Sequence, residues 1–202
     1  MKQFIAYLLI LTFTLFAPLS LSAAQTEEEE LKTMMIEKSE IFYSILRDKS
    51  SDTETREQKV LDEVSPLFDF NLMARLSLNK KIWKSISKEQ RKQFSDIFVA
   101  RIKRSYLNKM DIFADTEVLI QASTRVKKNR IQVTASLKTK TDTKEIIYKF
   151  YLTKKREWLI YDVEVVGVSF LQSYRSQYAS FLKEHSFDEL LKKLENDDEK
   201  PA

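Results

Sequence analysis

The stretch Arg130-Ile131-Gln132-Val133-Thr134-Ala135-Ser136-Leu137-Lys138 decides how this chain is read. Its apolar residues fall on every second position. Successive side chains of an extended strand leave on opposite faces, so one face of this segment is built for a core and the other for water. The same period runs on either side, predicting four strands at about 117–124, 130–138, 145–153 and 158–166. Polar turns at 127–129, 139–143 and 154–157 separate them. Turns this short cannot carry a parallel crossover, so the expected sheet is an antiparallel meander.

Outward from the sheet the period becomes helical. Leu31, Met34, Met35, Phe42 and Ile45 recur at three- and four-residue steps behind the acidic block 27–30, which suits the positive end of a helix dipole. Ser50-Ser51-Asp52-Thr53 breaks that helix. A short one with Val60, Leu61 and Val64 runs up to Pro66, and Asp69 can cap a third presenting Leu72, Met73 and Leu76. Ser87 and Gln90 have the spacing of a capping box and predict a long helix over 87–110. After Gly167, Leu171, Tyr174, Tyr178, Phe181 and Leu182 share one helical face. A last helix opens at Ser186 and turns Phe187, Leu190, Leu191 and Leu194 inward. The expected architecture is α+β: helices packed over one face of a curved antiparallel sheet of about four strands.

The chain opens with Met1-Lys2 and an uncharged run from Phe4 to Leu21, broken by Pro18 and closed by Ser22-Ala23-Ala24. This is the pattern of a secretory signal peptide over 1–24, with an uncleaved anchor as the alternative. The expected mature unit is one domain over 25–195 with a disordered polar tail over 196–202. Lys2 is the one charged residue of the leader, so its removal takes the formal charge from +4 to +3. So slight an excess gives no reason to expect nucleic acid as a partner. The absence of Cys excludes a lipid-anchored lipoprotein, and together with the leader it favours a bacterial envelope compartment.

Composition also restricts the chemistry. With no Cys, one His (His185) and one Gly (Gly167), thiolate or multi-His metal sites and glycine-rich phosphate loops are ruled out, and no cofactor or metal is expected. His185, beyond the end of an apolar helix, reads as a partner of the helix dipole. Asp162 and Glu164 lie two apart on a strand and so share a face. They could do acid/base work, though Lys or Arg neighbours or a hydrogen bond to a turn explain them more simply. Basic residues cluster at three hairpin tips: Arg125, Lys127, Lys128 and Arg130, then Lys138, Lys140 and Lys144, then Lys154, Lys155 and Arg156. They suggest a surface for anionic headgroups or an acidic partner. The aromatic stripe Phe94, Phe98, Tyr106, Phe170, Tyr174, Tyr178 and Phe181 is either packed core or the lining of an apolar cavity.

The order of motifs adds a resemblance. Leu67-Phe68-Asp69-Phe70, Met73-Ala74, Trp83, Glu89-Gln90 with Phe94 and Phe98, and Tyr106 resemble the first half of the MlaC or toluene-tolerance family. Trp158, Tyr161-Asp162-Val163, Gly167-Val168-Ser169, Tyr174-Arg175-Ser176-Gln177-Tyr178 and Phe187-Asp188-Glu189-Leu190 with Leu194 resemble its second half, so the likeness spans about 31–195. Ser77 and Asn79 depart from the pattern, since the family places Gly near this position; Asn79 could supply the left-handed conformation instead.

The resemblance implies a non-enzymatic periplasmic phospholipid carrier with a fold like an NTF2-type cone. Such a carrier shuttles lipid between an outer-membrane lipoprotein complex and an inner-membrane ABC transporter with a lipid-binding ring, maintaining outer-membrane lipid asymmetry. It also turns the aromatic stripe toward cavity lining. The expected lipid-binding residues are then Phe94, Phe98 and Tyr106 on the long helix, Val133, Ala135, Phe150 and Val163 on the strands, and Val168, Tyr174 and Tyr178 after the glycine. Gly167 would permit a sharp strand-to-helix turn. The alternatives are a lipid-free adaptor, or a small isomerase or hydrolase using Asp162 or Glu164.

Overall fold

The computed structural model describes residues 26–107 and 110–198; the expected leader and residues 199–202 lie outside the described residues. Helix α1 (Glu27–Arg47) starts where the Thr26 hydroxyl accepts from the Glu29 amide, with four glutamates in its first turn. Asp52 caps α2 (Thr53–Val64) in the same way, and a 3₁₀ turn at Ser65–Leu67 carries Pro66. Asp69 caps α3 (Phe70–Ser77) by accepting from Leu72 N at 2.8 Å. Its other carboxylate oxygen accepts from the Tyr151 hydroxyl, which ties the start of α3 to the sheet. Burial and that carboxylate together push the Tyr151 pKa up to about 12.

Asn79 is not left-handed. It is extended (φ −72°) and caps α4 (Lys80–Ser85), so no glycine-like turn is needed before Trp83. The capping box at Ser87 and Gln90 forms reciprocally, at 3.0 and 3.1 Å, and opens α5 (Lys88–Leu107). Of the helix expected over 87–110 the described part is α5; residues 108–109 lie outside the described residues, and α6 (Met110–Ala114) comes next.

The sheet is an antiparallel meander in the order β1 (Glu117–Lys127), β2 (Arg130–Lys138), β3 (Thr143–Leu152), β4 (Trp158–Val165) and β5 (Val168–Ser169). It is open, and the two-residue β5 adds to the four expected strands. Ile131 faces Phe150, Val133 faces Tyr148 and Ala135 faces Ile146, which defines an apolar inner face. Bulges interrupt the alternation in β1 after Ile120 and in β4 at Tyr161, where Ile160 faces Phe150 but Asp162 faces Lys149. Such bulges bend a strand and increase its local twist.

Gly167 lies in a two-residue hairpin turn between β4 and β5, not at a strand-to-helix corner. Both Val166 (φ +50°) and Gly167 (φ +75°) are left-handed. Helix α7 (Phe170–Phe181) begins directly after β5, capped by Ser169. Helix α8 (Phe187–Asp198) opens on a second reciprocal capping box and continues past the expected boundary at 195.

Three apolar clusters hold these layers. Leu31 and Met35 of α1 cover Ile131, Val133, Phe150 and Ile160 of the inner face. Phe42, Tyr43, Val60 and Met110 join α1, α2 and α6. A larger helical cluster joins α3, α5, α7 and α8 around Phe94, Phe98, Tyr178 and Leu190. It meets the sheet through Tyr161 and through a backbone bond from Asp69 N to Ile160 O at 2.9 Å.

Candidate functional site

Between α1, α2 and the inner face of the sheet lies a cavity of about 330 Å³, near the lower end of the ~300–1,000 Å³ of small-molecule sites. The strands contribute Val118 and Ile120 from β1, Leu137 from β2, Ile146 and Tyr148 from β3, and Ile160, Val163 and Val165 from β4. Met35, Phe42 and Tyr43 of α1, Val60, Leu61 and Val64 of α2, and Phe68, Phe70 and Met73 around α3 form the roof. Ile102, Lys103 and Ser105 of α5, Phe113 of α6 and Phe170 of α7 complete the wall.

The cavity has a direction. Apart from Ile160, near the start of β4, its strand residues come from the start of β1, the end of β2, the first part of β3 and the end of β4, which share one end of the meander. Val165 (37% exposed) and Phe170 (36%) bring the wall to solvent there, beside the hairpin tip whose Val166 and Val168 are each 62% exposed. The other end is closed by α1. Arg125 of β1 holds Glu27 at 2.6 Å and Glu28 at 2.7 Å, and Arg156 reaches Glu27 at 3.9 Å. The hydrogen bonds from Arg125 keep the Glu28 carboxyl below its ordinary range.

Tyr43 and Lys38 of the wall are both committed to partners. The Thr116 hydroxyl donates to the Phe113 carbonyl, which leaves Tyr43 to donate to Thr116 at 3.2 Å; burial raises the Tyr43 pKa and keeps the phenol protonated. Lys38 is paired with Glu63 at 2.7 Å. Among the described residues no cluster of His, Asp and Glu could hold a metal ion.

Asp162 and Glu164 share a face, as their spacing predicts, but it is the face opposite Val163 and Val165. Both clasp Lys149, at 3.1 and 2.6 Å. Asp162 also accepts from the Ser169 hydroxyl (2.8 Å) and from Leu171 N (3.2 Å), fastening the start of α7 to β4. Burial pulls the Lys149 pKa down, but its bonds to Glu164 and Asp162 outweigh this and leave it raised. This is a satisfied structural pair, as the simpler reading of the sequence has it. His185 stacks on Phe181 at 4.2 Å and lies 3.8 Å from Glu189, away from the cavity.

Of the ten residues expected to bind lipid, Val163 borders the cavity. Phe94, Phe98, Tyr174 and Tyr178 interlock at ring separations of 5.4 to 6.0 Å inside the helical cluster. Val133 and Phe150 are fully buried beneath Leu31 and Met35. Ala135 is on the inner face, but its methyl is recessed between Ile120 and Ile146, which do reach the cavity. Val168 is at the exposed hairpin tip, and the Tyr106 side chain lies outside the described ones. Phe94, Phe98, Tyr174 and Tyr178 of the stripe thus pack helix on helix, Phe170 at its α7 end reaches the cavity, and most of the wall comes from α1, α2 and the strands. Their apolar periodicity is visible in the sequence, but nothing local says which helix roofs the sheet.

The basic tips divide between the two ends. Arg125 and Arg156 are spent on α1, and Arg130 lies over the Tyr151 and Tyr161 rings. Lys127, Lys128, Lys154 and Lys155 make no ion pair among the described residues and stand at the closed end, where Leu152 N bonds Asn129 O at 3.2 Å. At the open end Lys140 pairs with Asp115 at 2.8 Å.

A helix-roofed open sheet around an apolar cavity, with its acidic pair turned outward, defines a pocket-bearing α+β protein. The chain belongs to the MlaC family: the family's profile, described as MlaC protein, matches residues 37–196. A solved structure with the same fold is that of the phospholipid-binding protein from Ralstonia solanacearum, determined in complex with a phospholipid. It superposes with a TM-score of 0.69 over 82% of this chain and 94% of that one, at 14% identity. A search of curated proteins finds no match.

Proposed function

We propose that this protein is a periplasmic phospholipid carrier, passing lipid between an outer-membrane lipoprotein complex and an inner-membrane ABC transporter that carries a lipid-binding ring. The observation that carries the reading is the apolar cavity itself, roofed by α1 and α2 and opening beside Val165 and Phe170. Membership of the MlaC family and the phospholipid held by the Ralstonia protein of like fold support it. Exposing a diacyl lipid to water costs about 0.8 kcal/mol per methylene, or roughly 20–25 kcal/mol for some thirty methylenes, so unaided transfer is slow and a carrier must cover the chains.

Such a carrier requires no catalytic group. Asp162 and Glu164, the carboxylates an isomerase or hydrolase would use, neutralise Lys149 on the far side of the sheet, which weighs against the enzyme reading. Lys127, Lys128, Lys154 and Lys155, without an ion pair among the described residues, suit an acidic partner, which they could meet at the closed end while the mouth stays free.

Native protein purified without added lipid, extracted with organic solvent and analysed by mass spectrometry, should yield about one phospholipid per chain. Lipid-free protein would favour an adaptor, and turnover of a bound ester that stops on loss of Glu164 would favour an enzyme.

A further inference from the structure

One cavity-wall residue is out of keeping with its surroundings. Lys103 is half-buried on α5, and its Nζ lies 5.7 Å from the centre of the Phe70 ring, another part of the wall. Burying an ammonium is costly unless an anion or an acceptor meets it. The comparable cations of this fold are met: Lys38 by Glu63, Lys149 by Asp162 and Glu164, Arg125 by Glu27 and Glu28. Lys103 has no carboxylate or hydrogen-bond acceptor among the described residues. Ser65 and Ser105, which line the same cavity, make no side-chain hydrogen bond among them either.

Beside the committed Lys38, Ser39 and Tyr43, the largely apolar wall therefore carries a positive charge and two uncommitted hydroxyls, with no carboxylate among its described residues. We infer that Lys103 binds the phosphodiester of the carried lipid, fixing the glycerol end at the α5 wall while the acyl chains run between α1, α2 and the inner face of the sheet. A phosphodiester offers a negative charge shared by two free oxygens, enough for the ammonium and a hydroxyl together. It is also common to all glycerophospholipids, so a contact of this kind gives affinity and orientation without choosing a headgroup alcohol. The inference rests on the carrier reading above and adds to it a residue, a ligand group and a polarity of binding.

The test uses the full chain, stripped of lipid, and displacement of a fluorescent phospholipid. The competitors are phosphatidylglycerol, phosphatidylethanolamine, diacylglycerol with the same chains, oleate and soluble glycerol phosphate. Lys103→Met should weaken both phospholipids about ten- to a hundredfold, the range of a charge-assisted hydrogen bond, and leave diacylglycerol within about twofold. Lys103→Arg should restore most of the loss, and glycerol phosphate should not displace the probe at millimolar concentration.

An equal loss for diacylglycerol, or no loss for the phospholipids, overturns the assignment while the carrier function stands. So does displacement by glycerol phosphate, or a loss confined to oleate, since these would make the site one for a free phosphate ester or for a fatty acid. Failure of the wild-type chain to bind any diacyl lipid overturns the carrier reading, and the inference with it.

Discussion

Replacing Val163 by Trp separates the cavity wall from the closed core. Val163 is on the inner face of β4, opposite Tyr148, and borders the 330 Å³ space. A tryptophan there can grow into the void without displacing packed neighbours, so the folded state should change by no more than about 1 kcal/mol. If the indole excludes about four methylenes of ligand at about 0.8 kcal/mol each, lipid affinity falls by about 3 kcal/mol, more than a hundredfold.

Phe98→Ala is the converse. Phe98 is 1% exposed and interlocked with Phe94 and Tyr174, so its truncation should cost about 3–5 kcal/mol. That lowers Tm by roughly 6–20 °C in a chain of this size while lipid bound per folded molecule is unchanged. Thermal melts and lipid titrations of both variants, at a temperature where each is folded, give the two readouts. Unaltered lipid binding by Val163→Trp together with its loss in folded Phe98→Ala would refute this placement of the site and return it to the aromatic stripe.

Three further outcomes follow from the geometry. Asp162→Ala should cost about 2–4 kcal/mol by denaturant melt, because it strips Lys149, Ser169 and Leu171 N of a shared buried acceptor; Glu164→Ala, which leaves that acceptor, should cost less. Val166→Gly should raise stability by up to about 1 kcal/mol, since a β-branched residue is strained at φ +50° and the gain is partly offset by the freer unfolded chain; unchanged or lower Tm would show the strain to be absent. Glu28 has a folded pKa below its ordinary value of 4.5, so its contribution is present above that value and is lost as pH falls through the lower folded one. Trp158, with Arg125 5.6 Å from its ring, should report this loosening of α1 as an emission change below about pH 4.5 in a Trp83→Phe background, and Glu28→Gln should remove the acid-induced step.

The sheet was legible because two local signals agree at every strand. Period-two alternation set the faces and short polar turns set the pairing, so β2 falls on 130–138 as expected. β5 escaped because two residues carry no period, and Gly167, taken for a strand-to-helix corner, sits in the hairpin turn that β5 requires. That Asp162 and Glu164 share a face could be read from their spacing, although which face it is, and Lys149 as the partner, follow only from the β3–β4 register.

The cavity was less legible for a physical reason. An apolar helical stripe records that a face avoids water, and it is the same whether that face meets another helix or an open space. Phe94, Phe98 and Tyr178 meet helices; Phe42, Val60 and Val64 meet the cavity. Lys103 was overlooked because a lysine on a helix is ordinary until its carboxylate partner is found to be missing.

The clasp of Arg125 on Glu27 spans 98 residues, and it sets the order in which the molecule can be completed. The strands β1 to β4 follow one another through hairpins and can pair as they emerge, but α1 is synthesised first and has no sheet to cover until about a hundred further residues exist. At roughly 5–20 residues per second of synthesis, that is a wait of about 5–20 s. During it the sheet-facing Leu31 and Met35 have nothing of the inner face to pack on. The α1 part of the roof is made about a hundred residues before the sheet it covers, so a factor that shields nascent chains should find its site on the Leu31–Met35 face of α1.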